Sequence, residues 1–218
     1  MARQVAAPAT PSTQAQRERY GRVVQAATST LSAGGEDALQ MKELAQKADV
    51  SLSTLYRYFP SKDHVLLAIA VDHYDRAYRR VLTETPSGRT VRERVTNQLL
   101  REFRAGQRNQ MLTAALGRAL TETSSHYSEV IEYLENVHTK ILRVVAEADG
   151  PISEQQQRVL PILTQIFRTT SGRWLIGIAS ASDARFEIRV GCRLLDVSDE
   201  LIDEDAARAT PADAYTPV

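Results

Sequence analysis

The segment that decides the fold is residues 41–62, MKELAQKADVSLSTLYRYFPSK. Its pattern predicts two helices of two to three turns, separated by a break near Asp49, and Pro60 ends the second helix. Two short helices joined in this way pack at a steep angle only if their inner positions are small or apolar. The sequence meets this requirement with Ala45, Ala48, Val50, Leu55 and Phe59.

The outward face of the second short helix is predicted to carry hydroxyl groups and one guanidinium, from Ser53, Thr54, Tyr56, Arg57 and Tyr58. Such groups donate to phosphate oxygens or base edges, and arginine matches the two acceptors of guanine. Ser51 at the N-cap leaves backbone N–H groups that can face an anion. This face suits the major groove of DNA. The same pattern also fits a helical hairpin with a merely solvated polar face.

The remainder of the chain shows helical periodicity almost throughout, and no stretch alternates convincingly with period two. The predicted fold class is therefore all-α, with about nine helices. Residues 1–16 are predicted to be a disordered arm because they offer almost no apolar surface to bury. Residues 17–62 are the predicted helix-turn-helix domain, 63–205 a larger helical domain and 206–218 a loose tail.

Composition limits the classes of protein that the chain can represent. Its 218 residues carry equal numbers of basic and acidic side chains, so any charged partner must meet a local patch. Residues 1–62 are the more basic part, with eight basic and five acidic side chains. The single cysteine excludes an intramolecular disulfide framework. No apolar run approaches the roughly 18 residues of a membrane span, so we expect a cytoplasmic protein without a membrane partner.

Catalysis is the main alternative class, and the sequence argues against it. The four histidines form no HExxH pair, Cys192 has no obvious base nearby, and no glycine-rich phosphate loop is present. An acidic cluster near residues 196–205 is better explained as a solvated face. We therefore expect no enzyme activity, no metal and no cofactor.

The segment at residues 41–62 resembles the DNA-binding signature of the TetR family of bacterial transcriptional regulators. The resemblance covers roughly residues 17–82 and departs at Asp49, where glycine is usual, and at Gln40, where threonine often starts the helix. Aspartate can adopt the left-handed conformation, so the turn should survive. The matching residues are Met41 to Ala45, Ala48, Val50, Ser51, Thr54 to Tyr56, Tyr58, Phe59, Ser61 and Lys62.

This resemblance implies a recognition helix from Leu52 to Tyr58. Tyr56 and Tyr58 would contact phosphates, and Lys62 would meet the DNA backbone. Ser53, Thr54 and Arg57 would lie nearest to the bases. The implied DNA-binding set is Gln40, Ser51, Leu52, Ser53, Thr54, Tyr56, Arg57, Tyr58 and Lys62.

The family also implies a second domain that binds a hydrophobic effector and forms a homodimer on double-stranded operator DNA. One late helix is predicted from Ser153 to about residue 182, with Pro161 inside it, and Asp183 is predicted to cap the next. The predicted dimer residues are Ile178, Phe186, Val190 and Leu194, although these stripes also fit an intrachain core. The predicted effector pocket contains Leu99, Phe103, Leu112, Leu116, Tyr127, Ile131, Leu134, Phe167 and Trp174.

Over its whole length the chain further resembles actinobacterial members of this family that repress cholesterol catabolism. That resemblance implies control of sterol or lipid catabolism genes and release by a steroid acyl-CoA, which needs an apolar tunnel with a basic mouth. Arg101, Arg104 and Arg108 are candidate partners for its phosphates. The alternative is a TetR-type regulator of efflux genes that responds to a different hydrophobic or cationic small molecule.

Overall fold

The computed structural model of the protein describes residues 11–122, 128–198 and 200. Within these residues there are nine α-helices, two short 3-10 helices and no strand, so the predicted all-α class is confirmed. The helices are α1 (Gln14–Gly34), α2 (Met41–Lys47), α3 (Leu52–Tyr58), α4 (Lys62–Val81), α5 (Val91–Arg108), α6 (Gln110–Glu122), α7 (Ser128–Ala146), α8 (Glu154–Leu175) and α9 (Ala181–Gly191). The 3-10 helices are Glu36–Ala38 and Cys192–Asp196.

The helix-turn-helix forms at α2 and α3, where the sequence predicts it. The turn between them passes through Asp49, which has a φ of 52° and thus adopts the left-handed conformation. The Val50 amide donates to the Ala45 carbonyl across this turn at 3.0 Å, and the Arg22 guanidinium donates to the Ala48 carbonyl at 3.1 Å. These bonds satisfy the end of α2 and fix the angle at which α3 leaves it.

The N-terminal unit is held together by a core that α1, α2, α3 and part of α4 share. The buried side chains include Val24, Leu31, Leu39, Leu44, Leu55, Phe59, Val65 and Ile69. The first half of α4 therefore belongs to the N-terminal core. The second half belongs to another cluster, in which Tyr74, Ala77 and Val81 pack with α7. The predicted boundary after Lys62 consequently does not separate two cores.

The first helix begins earlier than the sequence analysis predicts. The arm was expected to run through residue 16, but α1 begins at Gln14 because Thr13 and Gln16 form a capping box. The Thr13 hydroxyl accepts from the Gln16 amide at 3.3 Å, and the Gln16 side chain accepts from the Thr13 amide at 3.2 Å. The predicted disorder of residues 1–10 and the loose tail at 206–218 lie outside the described residues.

The second domain is built from α5, α7, α8, α9 and the last 3-10 helix. Its buried core includes Leu99, Phe103, Leu142, Leu160, Leu163, Ile188, Cys192 and Leu195. The α8 helix continues through Pro161, as predicted, but ends at Leu175 and not near residue 182. Gly177, with a φ of 76°, turns the chain after it. Ser180 then caps α9. Asp183 is the third residue of that helix and completes the capping box, so it is not the cap itself.

The α6 helix connects the two parts of the molecule. Its apolar face joins the N-terminal core through Leu112, Ala115 and Ala119. The Arg118 guanidinium lies 3.2 Å from the Glu36 carboxylate, and the Asn109 amide donates to the Ser32 hydroxyl at 2.9 Å. On its other side α6 packs against α5 and α8. The α6 helix therefore contacts both the N-terminal core and helices of the second domain.

Candidate DNA-binding and effector sites

The outward surface of α3 presents most of the side chains that the sequence placed there. Leu52 and Tyr56 are 41% and 45% exposed, and Ser53 and Arg57 are exposed beside them. The Ser51 hydroxyl accepts from the Thr54 amide at 3.1 Å and so caps the helix. It also donates to the half-buried Thr54 hydroxyl at 2.8 Å. This capped end and the exposed hydroxyls provide a polar surface that can donate to phosphates and base edges.

Tyr58 does not belong to that surface, so the prediction that it points outward is wrong. It is only 3% exposed and lies with Tyr20 and Phe59, with ring centroids 6.1 Å and 6.4 Å away. The reason is the helical period, because Tyr58 follows the buried Leu55 by three residues and shares its face. The Arg57 guanidinium lies 5.0 Å above the Tyr58 ring and donates to its hydroxyl at 3.3 Å.

The two flanking residues of the predicted DNA-binding set lie at the starts of other helices. Gln40 is exposed at the N-cap of α2, makes no side-chain cap, and donates to the Asp37 carbonyl at 3.1 Å. The departure from threonine at this position leaves α2 without a side-chain cap. Lys62 is half-buried as the first residue of α4. Ser61 is the N-cap of α4, but its hydroxyl bonds with the His64 ring at 2.8 Å and not with a backbone amide.

The residues predicted to line one effector pocket divide between two cores. Leu99 and Phe103 on α5 pack with Phe167 and Trp174 on α8, and the Phe103 and Trp174 rings are 5.0 Å apart. On α7, Leu134 is buried and Ile131 half-buried. Leu112 and Leu116, by contrast, pack in the N-terminal core, so their grouping with the other pocket residues is wrong. Their side of α6 faces α1 and α4. Tyr127 lies outside the described residues.

A largely buried polar cluster, which no local pattern in the sequence predicts, lies beside these aromatic residues. His138 is 2% exposed, and its Nε2 lies 2.9 Å from Oε2 of Glu102. The Gln98 amide donates to the other oxygen of that carboxylate at 2.5 Å. The His138 ring lies between Tyr74 of α4 and Phe167 of α8, with centroids 5.8 Å and 5.3 Å away. The cluster thereby joins α5, α7 and α8 to α4.

The charge of Glu102 depends on this pairing. Burial on its own would raise the pKa of Glu102, but His138 and the Gln98 amide together hold that pKa below its usual range. A carboxylate with a depressed pKa stabilises the fold above its ordinary pKa, and this contribution is lost as pH falls through the depressed value. His138 did appear in the apolar stripe of α7 in the sequence, but nothing there pairs it with a residue 36 positions away.

Exposed apolar side chains mark a second surface, on α8, α9 and the loop between them. We call Ile162, Ile176, Ile178, Phe186 and Val190 the apolar strip. Ile178 and Phe186 are 66% and 67% exposed, so the intrachain core does not explain these two predicted dimer residues. Leu194 differs, because it is half-buried and packs in the core of the second domain. The chain turns from α9 into a 3-10 helix at Cys192, and this change removes Leu194 from the stripe.

Within the described parts of the chain, no helix combines the length and the apolar character needed to cross a bilayer. In the same residues, no three histidine, cysteine, aspartate or glutamate side chains are grouped so as to hold a metal ion.

We predict that Glu102→Gln lowers the free energy of unfolding by about 1–3 kcal/mol at pH 7, because the substitution leaves His138 buried without its charged partner. The loss should shrink as pH falls through the depressed pKa of Glu102. Urea unfolding at pH 7 and near pH 3, below the ordinary range of a glutamate, measures the loss at both pH values. Glu132→Gln, an exposed change on α7, is the control and should cost less than about 0.5 kcal/mol. A loss that is the same at both pH values would contradict the pairing.

Comparison with known proteins agrees with this architecture. The family model described as bacterial regulatory proteins of the tetR family matches residues 23–69. A second model, the Tetracyclin repressor-like C-terminal domain, matches residues 88–195. A crystal structure of a TetR transcriptional regulator from Rhodococcus sp. RHA1 is similar over 85% of this chain and 100% of that one, with 29% identity and a TM-score of 0.73.

Two curated relatives are similar over most of their length. The HTH-type transcriptional repressor KstR of Mycobacterium tuberculosis is 31% identical over 84% of this chain and 82% of its own. The protein of the same name from Mycolicibacterium smegmatis is 30% identical over 86% of this chain and 91% of its own. These relatives are transcriptional regulators and not enzymes, which confirms the expectation that the chain is not an enzyme. From the matched models and the identity with these repressors, we conclude that the chain belongs to the TetR family of bacterial transcriptional regulators.

Proposed function

We propose that the protein is a ligand-responsive transcriptional repressor that acts in the cytoplasm and binds a palindromic operator as a homodimer. It controls genes of sterol or lipid catabolism and is released from DNA by a steroid acyl-CoA. The observation that carries this proposal is the identity of 30–31% with KstR repressors over more than four fifths of their length. The sterol and thioester parts rest on the resemblance to regulators of cholesterol catabolism, together with the aromatic and apolar core of the second domain.

The proposed DNA contacts follow from which side chains α3 exposes. Tyr56 is placed to reach a phosphate, and the N-terminal end of α3 at Ser51 offers its free amides to another. Arg57 and Ser53 are the side chains assigned to base edges, with Leu52 and the half-buried Thr54 beside them. Gln40 and Lys62 add contacts from α2 and α4. Tyr58 is withdrawn from the set, and its ring instead supports the Arg57 guanidinium.

The proposed release depends on α4, which both cores hold. A ligand inserted among α5, α7 and α8 would press on His138 and Phe167 and, through the Tyr74 ring, on the second half of α4. The first half of α4 is buried with α3, so the recognition helix would follow. In a dimer this movement changes the separation of two recognition helices that must span half-sites about 34 Å apart. The ligand then favours the conformation that does not bind the operator.

The apolar strip is the proposed dimer surface. It consists of large side chains that a single chain leaves in water, on the last two long helices of the fold. A twofold axis would place the strip of one chain against the same strip of another and bury both. Dimerisation supplies the second recognition helix that a palindrome requires.

One observation favours a second candidate, a regulator of efflux genes that responds to a cationic or otherwise different hydrophobic molecule. Glu102 places a half-buried carboxylate beside the His138 ring, which itself lies against the rings of Tyr74 and Phe167. An acidic group surrounded by aromatic rings is suited to a lipophilic cation.

To test the DNA contacts, Tyr56→Ala and Arg57→Ala are compared on an operator selected from genomic fragments and on a scrambled duplex, by fluorescence anisotropy. Tyr56→Ala should weaken binding to both duplexes by a similar factor, because it removes a backbone contact. Arg57→Ala should cost about 1–3 kcal/mol on the operator and less on the scrambled duplex. Arg79→Ala, near the far end of α4, is the control and should bind as wild type does. Equal losses on both duplexes for Arg57→Ala would contradict its assignment to a base.

The dimer surface is tested by Phe186→Glu, which places a charge in the apolar strip. We expect the dimer to weaken about 100-fold or more, because a buried unpaired charge costs several kcal/mol. Sedimentation at micromolar concentration should then show monomers, and operator binding should fall with the dimer. Leu82→Glu changes an exposed apolar side chain away from the strip and should leave the dimer intact. A Phe186→Glu variant that stays dimeric would place the interface elsewhere.

The effector is tested by measuring operator affinity with a cholesterol-derived acyl-CoA, with its free acid, and with tetraphenylphosphonium as a lipophilic cation. The thioester should weaken operator binding at least about tenfold, and the other two should act less. Unchanged affinity with the thioester would exclude steroid thioesters as effectors. Release by the cation alone would support the second candidate function.

A further inference from the structure

The Arg22 side chain of α1 contacts the turn between α2 and α3. Its Nε donates to the Ala48 carbonyl at 3.1 Å, and one terminal nitrogen lies 3.5 Å from the Asp49 carbonyl oxygen. Ala48 is the C-cap of α2, so its carbonyl belongs to the end of the helix that carries partial negative charge. A guanidinium suits this position because its charge and its planar arrangement of donors reach two neighbouring carbonyls at once.

These two carbonyls report the conformation of the turn. They belong to the two peptide groups on either side of the Asp49 α-carbon, so their directions depend on the backbone dihedral angles of Asp49. Asp49 has a φ of 52°, in the left-handed region that residues with a side chain rarely adopt. The Val50 amide, which donates to the Ala45 carbonyl at 3.0 Å, depends on the same angles. Arg22 therefore favours the conformation of the turn in which both of its acceptors face α1.

The direction of α3 follows from the conformation of this turn. Asp49 lies two residues before Ser51, the N-cap of α3, and α3 is seven residues long. A helix of that length spans about 10 Å, so a rotation of about 10° moves one end by roughly 2 Å relative to the other. A displacement of that size breaks a hydrogen bond to a base edge, because donor and acceptor must lie within about 3.2 Å of each other.

The end of α3 is held by the same helix that carries Arg22. Tyr20 of α1 packs against Phe59, the C-cap of α3, and their ring centroids are 4.7 Å apart. Phe59 is buried in the N-terminal core, so the end of α3 is anchored independently of the turn. Without the Arg22 contact, the start of α3 would move instead. The Ser53 and Thr54 side chains, which are assigned to the DNA surface, lie at that start.

We propose that Arg22 is a positioning residue for operator recognition. It holds Asp49 in the left-handed conformation and thereby directs α3, while α3 itself makes the contacts to DNA. Base-edge hydrogen bonds require this direction, whereas attraction to phosphates acts over a longer range and tolerates a small displacement. Arg22 therefore affects discrimination between DNA sequences more than it affects affinity for DNA in general. This inference rests on the proposed function in one respect, namely that α3 is the helix that reads the operator.

The test compares the full chain with its Arg22→Ala and Arg22→Lys variants, by fluorescence anisotropy on the operator selected from genomic fragments and on a scrambled duplex. Arg22→Ala should weaken operator binding about tenfold and binding to the scrambled duplex less than about threefold. Arg22→Lys keeps the charge but reaches only one of the two carbonyls, so its loss on the operator should be intermediate.

The matched control is Lys47→Gln, which removes a positive charge from the last residue of α2. The Lys47 ammonium donates to the Thr30 hydroxyl of α1 at 3.2 Å, so this variant also loses a contact between α1 and α2. It should change binding to both duplexes by a similar factor of less than about threefold. A loss confined to the operator in this control would show that charge or general packing, and not the turn contact, causes the effect.

Amide hydrogen exchange measures the turn in the absence of DNA. Arg22→Ala should speed exchange in a peptide that contains residues 46–51 about fivefold or more, because the Val50 amide loses the conformation in which it donates to Ala45. Exchange in peptides from α5 should stay within about twofold of wild type.

The outcomes separate the role of Arg22 from the wider proposal. A loss mainly on the operator, together with faster exchange at the turn, supports the positioning role, and unchanged exchange at the turn overturns it. Equal losses on both duplexes also overturn it, and a slope of log affinity against log salt concentration that is smaller by about one would then make Arg22 a direct phosphate contact. A wild-type chain that does not distinguish the two duplexes contradicts the proposed function, and exchange at the turn then decides separately whether Arg22 holds Asp49.

Discussion

The burial of α4 in two different cores is the constraint on which the rest of the structure depends. Val65 and Ile69 pack with the recognition helix and its neighbours, whereas Tyr74 and Val81 pack with α7 of the second domain. Protein interiors are close-packed and adjust by small collective shifts more readily than by leaving gaps. A single stiff helix that is packed at both ends therefore couples the two domains mechanically. The contacts of α6 with α1 and α4 reinforce that coupling.

Beside this helix the second domain combines apolar packing with a small number of buried polar groups. The His138 ring of the Glu102 and His138 pair lies against aromatic rings from α4 and α8, and the Gln98 side chain of α5 donates to the Glu102 carboxylate. Burying polar groups costs hydration, so this pairing is weak evidence for stability, but its hydrogen bond links α5 to α7. The His138 ring of this pair also lies directly against the Tyr74 ring of α4.

The sequence predicts the features that neighbouring residues determine, and it does not predict those that depend on how distant helices pack. The two short helices, the left-handed Asp49 and the Ser51 cap follow from neighbouring residues, and the structure confirms them. The prediction that Tyr58 points outward failed because it rested on the residue type, which suits a phosphate contact. The position of Tyr58 in the helical period instead places its side chain in the core. Leu112 and Leu116 belong to a clear apolar stripe on α6, but the stripe alone does not indicate which of the two cores these side chains enter. The pairing of Glu102 with His138 depends on how α5 and α7 pack, which no local pattern specifies.

The contact between Arg57 and the buried Tyr58 ring has a consequence for how rapidly and how selectively α3 would engage a duplex. A free arginine samples many rotamers, and immobilising such a side chain opposes association by roughly 0.5–1.5 kcal/mol. Here a ring anchored in the protein interior already restricts the guanidinium before any nucleic acid arrives. The entropic penalty is thereby shifted from the encounter to the folding of the chain, and the Arg57 guanidinium would meet a duplex in an orientation that is already restricted.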